Sequence, residues 1–325
     1  MKSVKILKEK VFSGLLLLIV MSVFLVGCGT EKKTQVAPSA SAQAMEGNGE
    51  SFHVTITDTT GAEIELTKKP ERIISLAPNI TEILAALGLE DKMVGRTTYC
   101  NYPSSITALP EVGDAYTPNI EMIVDLNPDL VIGATHVSKE MINKLREVGV
   151  KVVFLDESIN FEDTYSLIEK IGTLTGTEEK ATEVVSRMKE KVASVEAEVK
   201  ALNLTQPPKV YFANDIGEID YCATGDTFIG EMLRLAGATN IAEEMTHWSI
   251  SKEQIAEGDP DLIIVPSDSN IAEKIGSTAF YKDLRAVKEG KVFEIDGDSI
   301  SRQSPRVADA LVELAHIIHP ELGNK

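Results

Sequence analysis

The sequence predicts an α/β protein of two βαβ lobes with central, mostly parallel sheets, joined by one long connecting helix. From Arg72 onward, short β-branched runs alternate with helical stretches, the pattern of βα units around a parallel sheet. A cassette also occurs twice. IEMIVDLNPDLVIG from Ile120 and KEQIAEGDPDLIIVP from Lys252 each hold a Glu (Glu121, Glu253), six residues, then Pro-Asp-Leu and an apolar run. Between the copies, Glu178 to Leu204 is the longest helical pattern, with Val184, Val185, Met188, Val192, Val195 and Val199 on one stripe and Pro207-Pro208 beyond it.

The N-terminus reads as an address. Lys2, Lys5, Lys8 and Lys10 precede an apolar run, Val11 to Val26, which is short for about 30 Å of hydrocarbon and diluted by Ser13, Gly14 and Ser22. A signal segment therefore fits better than a membrane anchor. Leu25-Val26-Gly27-Cys28 resembles the lipobox of bacterial lipoproteins, which makes Cys28 the expected lipidated residue and places the mature chain at the extracytoplasmic face of the cell membrane. Residues 29 to 50 are rich in Ser, Ala, Gly and Gln without apolar period, as a flexible tether requires. The expected divisions are a leader (1–27), lipidated Cys and tether (28–50), first lobe (51–175), connecting helix (176–206) and second lobe (207–325).

In the first lobe, FHVTITDTTGAEIELTKKP alternates about Thr60-Gly61 as a hairpin does. Strands are expected at Arg72–Leu76, Met93–Arg96, Asp129–Gly133 and Lys151–Asp156, and helices at Thr81–Leu87, Asn119–Leu126, Ser138–Glu147 and Phe161–Leu174. In the second, strands are expected at Lys209–Asn214, Leu262–Pro266 and Lys291–Ile295. Helices are expected at Phe228–Ala236, Lys252–Glu257, within Asn270–Glu289 and at Pro305–Ile318. The repeat extends further: EILAALG from Glu82 matches EMLRLAG from Glu231, each closing on a Gly able to take the left-handed cap.

Composition narrows the function. The net charge is −18, and the leader carries four Lys and one Glu, so the remainder is near −21; such a surface repels nucleic acid and anionic lipid. The chain lacks a G-x-S-x-G elbow, an H-E-x-x-H helix, a Walker loop and a G-x-G-x-x-G turn, and no catalytic pair stands out. A zinc or manganese receptor would need three or four converging ligands. The only close histidine pair is His316 and His319, read as a helix end. No metal site and no cofactor are expected.

Beyond these readings, RIISLAPNITEILAALGLEDKMVG, TTYCNYP, IEMIVDLNPDLVI, SKEQIAEGDPDLIIV and RQSPRV resemble the helical-backbone substrate-binding proteins of ABC importers for cobalamin, iron siderophores and haem. The likeness spans Val54 to Leu322. It implies a monomer that captures a metal chelate and delivers it to a permease dimer with its ATPase, and that Glu121 and Glu253 dock one on each permease subunit. The ligand cleft should be lined by loops at the carboxyl ends of the strands: 77–79, 97–103, 115–117, 134–137, 215–226, 246–249 and 297–302. Tyr99, Trp248, Asp298 and Arg302 fall at cleft positions of the cobalamin binders. Those binders have further tryptophans in the first lobe, where this chain has Tyr116, a possible substitute, and Ala134-Thr135-His136, with no aromatic equivalent.

His136 reads either as a neutral imidazole facing the chelated metal or as a solvated loop residue. Arg96, Arg302 and Arg306 are candidates for gripping an anionic group; of these Arg306 is read as structural, bonded to loop carbonyls near the last helix. Cys100 and Cys222 are either free thiols near the ligand or a bridge across the lobes. A corrinoid is the expected ligand, with a ferric siderophore or haem as the alternative. The continuous connecting helix implies modest lobe motion.

Overall fold

A computed structural model describes residues 52–134, 136–155 and 158–324; the leader, Cys28 and the tether lie outside them. The chain enters through an antiparallel hairpin of β1 (Val54–Thr57) and β2 (Glu63–Leu66), with Val54 opposite Leu66. Its turn is held by the buried Asp58, which accepts from Thr60 N (2.9 Å) and Ala62 N (3.2 Å). The same carboxylate accepts from Phe154 N (2.9 Å) and pairs with Arg146, pinning the hairpin to the first lobe. Gly61 turns the chain at φ +84°, where a side chain would be strained.

The first lobe runs through β3 (Ile73–Ser75), α1 (Pro78–Ala86), β4 (Met93–Arg96), α2 (Ile120–Asp125), β5 (Leu130–Gly133), α3 (Lys139–Glu147), β6 (Val152–Phe154) and α4 (Phe161–Thr175). Its sheet is parallel throughout, in the order β4-β3-β5-β6. Ile73, Ile74, Val131 and Ile132 are fully buried. These strands are covered on both faces, which is why they read as unbroken apolar runs.

The connecting helix α5 (Glu178–Ala201) has 24 residues, about 36 Å at 1.5 Å per residue. Glu178 and Glu179 lie in its first turn and Lys200 in its last, matching the helix dipole. Of the stripe expected to be apolar, Val184, Val185, Met188 and Val195 are buried, together with Ala181, and Val192 and Val199 are half-buried against the same core. The buried residues belong to a single core cluster running from Ile73 and Leu130 of the first lobe to Leu311 and Leu314 of the second.

The second lobe contains β7 (Lys209–Asp215), β8 (Asp220–Cys222), α6 (Phe228–Leu235), β9 (Thr239–Asn240), β10 (Ser249–Ile250), α7 (Lys252–Gly258) and β11 (Leu262–Pro266). It continues with α8 (Ile271–Ser277), α9 (Arg285–Lys288), β12 (Val292–Ile295), α10 (Gly297–Ser301) and α11 (Val307–Ile318). Its sheet is ordered β10-β8-β7-β11-β12, with β9 also on β7. The β7–β11, β11–β12 and β7–β9 pairs are parallel, whereas β7–β8 and β8–β10 are antiparallel. Segments 215–226, 246–249 and 297–302, read from sequence as loops, thus contain β8, the start of β10 and α10. Three or fewer residues form each of these strands, too few to establish an alternation.

Candidate functional site

Between the two lobes lies a cavity of about 470 Å³, open to solvent, lined from both sides. The first lobe contributes Ala77, Pro78 and Asn79 where β3 gives way to α1, Tyr99 after β4, Ala115 and Tyr116 before α2, and Ala134 and His136 after β5. The second contributes Asn214 from β7, Tyr221 from β8, Ile229 from α6, Trp248 before β10, and Ser301, Arg302 and Gln303 at the end of α10. The first-lobe contributions and Asn214 lie at the carboxyl ends of strands, as an open α/β sheet dictates.

Local chemistry fixes each aromatic. Asp114 accepts from Tyr116 N (2.8 Å) and Thr117 N (2.6 Å), and these backbone bonds hold its carboxyl below the usual range while presenting Tyr116 to the cavity. The Tyr116 and His136 rings lie 5.3 Å apart at 42°. Across the cleft, Tyr221 and Trp248 are stacked, with centroids 5.1 Å apart and planes at 16°. Trp248 N donates to Thr224 Oγ1 (3.3 Å) and its carbonyl accepts from Cys222 N (2.8 Å). His247 and Trp248 both take left-handed φ values, 61° and 59°, a strained turn that aims the indole inward. Asp220 anchors β8 from below, accepting from Tyr211 Oη (2.6 Å) and pairing with Lys252 at the start of α7.

The cavity's only Lys or Arg among the described residues is Arg302, and its charge is already matched. It meets Glu82 Oε1 at 3.2 Å and Asp298 Oδ1 at 2.6 Å, and donates to Asn101 Oδ1 at 2.6 Å. Glu82 also takes Ser304 Oγ (2.6 Å) and Arg306 Nη1 (3.1 Å). Burial raises the Glu82 pKa and outweighs Ser304, Arg306 and Arg302, which act to lower it. The result is a polar floor carrying no surplus cation.

Of the residues expected in the cleft, Tyr99, Tyr116, His136, Trp248 and Arg302 converge on this cavity. Asp298 does not line it but sits behind Arg302 as its counter-ion. Two expectations are corrected. Arg96 does not line the cavity: it is buried, bonded to the carbonyls of Ile106, Thr97 and Thr107 and to Glu111. Arg306 is structural, as expected, but its partners are the carboxylates of Glu82 and Asp296 and the ring of Tyr102 rather than loop carbonyls. Cys100 and Cys222 are free thiols, one of the two alternatives left open; both are fully buried and neither lines the cavity, and burial, then Asp220, pushes the Cys222 thiol up to about 12.

His319 is buried with Nε2 3.0 Å from Ala236 O, a structural helix end. Among the described residues no three His, Cys, Asp or Glu side chains are grouped to hold a metal ion. Sequence reasoning missed Asn214, Ile229 and Gln303, and did not single out Tyr221 within the expected cleft segment 215–226. For Tyr221 the available signal was an aromatic in that segment.

Glu121 and Glu253 are exposed in the first turns of α2 and α7. Asn119 caps α2 by accepting from Met122 N, and Ser251 caps α7 by accepting from Gln254 N. Each glutamate follows a cleft aromatic by five positions: Tyr116 to Glu121, and Trp248 to Glu253.

The family model described as periplasmic binding protein matches residues 73–299. The chain belongs to the periplasmic binding protein family. It is 32% identical over 308 residues to an uncharacterized ABC transporter substrate-binding lipoprotein, YvrC, of Bacillus subtilis, covering 94% of this chain and 96% of that one. Among solved structures it is similar to a possible iron-binding, periplasmic solute-binding protein from Staphylococcus epidermidis, with TM-score 0.69 and 30% identity, covering 78% of this chain and 100% of that one. The vitamin B12-binding protein BtuF of Vibrio cholerae is similar too, with TM-score 0.66 and 25% identity over 79% of this chain and 99% of that one. Two α/β lobes joined by α5 are thus the fold of a binding protein of this family.

Proposed function

We propose that this protein is the lipid-anchored, extracytoplasmic substrate-binding protein of an ABC importer, and that it captures a corrinoid and delivers it to the permease. The observation that carries the ligand class is the lining of the cleft. Its aromatic surfaces (Tyr99, Tyr116, Tyr221, Trp248) are accompanied by carboxamides (Asn79, Asn214, Gln303), and its one cation is neutralised by Glu82 and Asp298. Flat apolar faces and neutral donors and acceptors suit a macrocycle fringed with amides. A ligand bearing several carboxylates would find no surplus cation. Similarity to a vitamin B12-binding protein supports the same choice.

The function involves capture, docking and release, without covalent chemistry, by a monomer tethered through Cys28. Glu121 and Glu253 present one carboxylate from each lobe, and such exposed charges set register and on-rate with a two-fold partner more than affinity. Because each stands five residues after a cleft aromatic, ligand contact and docking share one short segment in each lobe.

An iron chelate, either a ferric siderophore or haem, is the second reading. The Tyr116–His136 pair favours it, since phenol and imidazole are both iron ligands and their rings adjoin in the cavity. The test uses the single tryptophan as reporter. Residues 29–325 are titrated with cyanocobalamin, dicyanocobinamide, haemin and ferric siderophores while fluorescence and heat are followed. Saturable one-to-one quenching by corrinoids is expected in the wild type, and weaker binding by heat in Trp248→Ala, which lacks the reporter. Binding of iron chelates alone would replace the corrinoid, and silence toward all would remove the importer reading of this cleft.

A further inference from the structure

The β7–β8 ladder contains an irregularity that falls at the cavity. Ala213 pairs with Cys222 and Asp215 with Tyr221, so the register shifts and Asn214 is the extra residue between them. An inserted residue of this kind re-aims a side chain and recurs beside functional sites. Here it places Asn214 in the cavity lining, on the lobe that also supplies Tyr221 and Trp248.

The Asn214 amide nitrogen is buried and has no hydrogen-bond partner. Among the described residues only one other buried side-chain atom, Glu243 Oε2, shares that condition, and Glu243 does not line this cavity. Buried donors are almost always satisfied, because an unmet N–H forfeits its hydration without return. Nor does any described residue hold the amide oxygen, so the group can turn about its terminal bond without breaking a bond.

From the bulge, the position and the unmet donor together, we infer that Asn214 determines specificity by donating a hydrogen bond to an oxygen of the bound ligand. Carbonyl oxygen is the acceptor chemistry it fits best, since the neighbouring lining is neutral and Asn214 carries no charge to match a carboxylate. The ligand thereby completes a hydrogen bond that the protein itself leaves open. This rests on the assignment of the cavity as the ligand site.

The experiment compares wild type, Asn214→Ala and Asn214→Asp in two readouts. One is the Kd for cyanocobalamin, dicyanocobinamide, haemin and a ferric trihydroxamate; the other is the melting temperature of the free protein. A neutral hydrogen bond of ordinary strength gives a loss of about 3- to 10-fold in Kd for Asn214→Ala. Asn214→Asp, which keeps the shape but loses the donor, should lose at least as much. The melting temperature of the free Asn214→Ala protein should stay unchanged or rise, since the substitution removes an unmet donor and no internal bond.

Unaltered Kd in both variants for every probe that the wild type binds would overturn the role of Asn214 and leave the importer reading standing. A fall in melting temperature alongside the lost affinity would assign Asn214 to the fold instead, also overturning the inference. A wild type that binds none of the probes would overturn the ligand-site assignment itself and this inference with it.

Discussion

Replacing Glu82 separates the work of its charge from that of its shape. The side chain is 1% exposed and joins three residues of the other lobe: Ser304 through Oε2, and Arg302 and Arg306 through Oε1. Glu82→Ala strips these partners together. Breaking a buried pair by removing one member costs about 3–5 kcal/mol, because the remaining charge stays desolvated. Arg302 keeps Asp298 and Arg306 keeps Asp296, which argues for the lower end, about 3 kcal/mol. At about 2–4 °C per kcal/mol for a chain of this size, the melting temperature should fall by roughly 6–12 °C.

Glu82→Gln should behave differently. Its amide oxygen still accepts from the guanidiniums and its amide nitrogen can donate to Ser304. The sign of the pKa shift says what removing the charge does. Burial raises the Glu82 pKa above 4.5, so the folded state holds this proton more tightly than the unfolded chain does. The favourable contribution of the protonated form is full below 4.5 and is lost as pH rises through the folded pKa. At pH 7 the Gln variant should therefore lie within about 1 kcal/mol of wild type. Wild type should gain on it as pH falls toward 4.5, then gain no more. Calorimetric melting curves between pH 4 and 8 measure both effects. If Gln proves as costly as Ala at pH 7, the charge itself holds the lobes and the reasoning is refuted.

Three further outcomes are expected. Asp298→Asn removes one of the two carboxylates that offset the partly buried Arg302, so affinity for carboxylate-bearing chelates should rise about 3-fold; equal affinity in both proteins would show that the cleft charge is not balanced locally. Gly225→Ala would put a Cβ 1.9 Å from the Glu243 carbonyl oxygen, and urea unfolding should record a loss of about 3 kcal/mol, whereas a loss under 1 kcal/mol would mean that this backbone yields easily. Small-angle scattering of free and loaded protein should nearly coincide, since a core cluster and α5 run continuously through both lobes; a radius of gyration that shrinks by several ångströms on loading would exclude this.

Much of the fold was legible because its elements are long enough to display a period. The strands Met93–Arg96 and Leu262–Pro266 and the start of α5 at Glu178 coincide with the sequence reading. The Gly88 and Gly237 caps take φ 76° and 73°, as helices closing on glycine require. What escaped was made by partners distant in sequence. Strand β8 is Asp-Tyr-Cys, with no apolar alternation, and exists because β7 and β10 flank it. Tyr221 is a cleft residue only through that pairing. Arg96 looked like a ligand grip because nothing local shows the carbonyls of Ile106 and Thr107 converging on its guanidinium. The partner of Arg306, Glu82, lies 224 positions away in the chain.

The repeated segments acquire distinct physical roles once both lobes are considered. In the first, Glu82 and Glu231 occupy matching positions on α1 and α6, and each reaches the opposite lobe. Glu82 takes bonds from Ser304, Arg302 and Arg306, while Glu231 Oε2 accepts from Phe161 N (2.9 Å) at the head of α4. Burial raises the pKa of both. In the second, an aromatic on the cavity wall leads through a helix cap to an exposed carboxylate five positions on. The inward-facing copies join the lobes to each other; the outward-facing copies give each lobe one aromatic on the cavity wall and one exposed carboxylate beyond it. The two walls of the cavity differ chiefly in their aromatics, with a Tyr–His pair on one and a stacked Tyr–Trp pair on the other, so the repeat gives the cavity two chemically distinct faces.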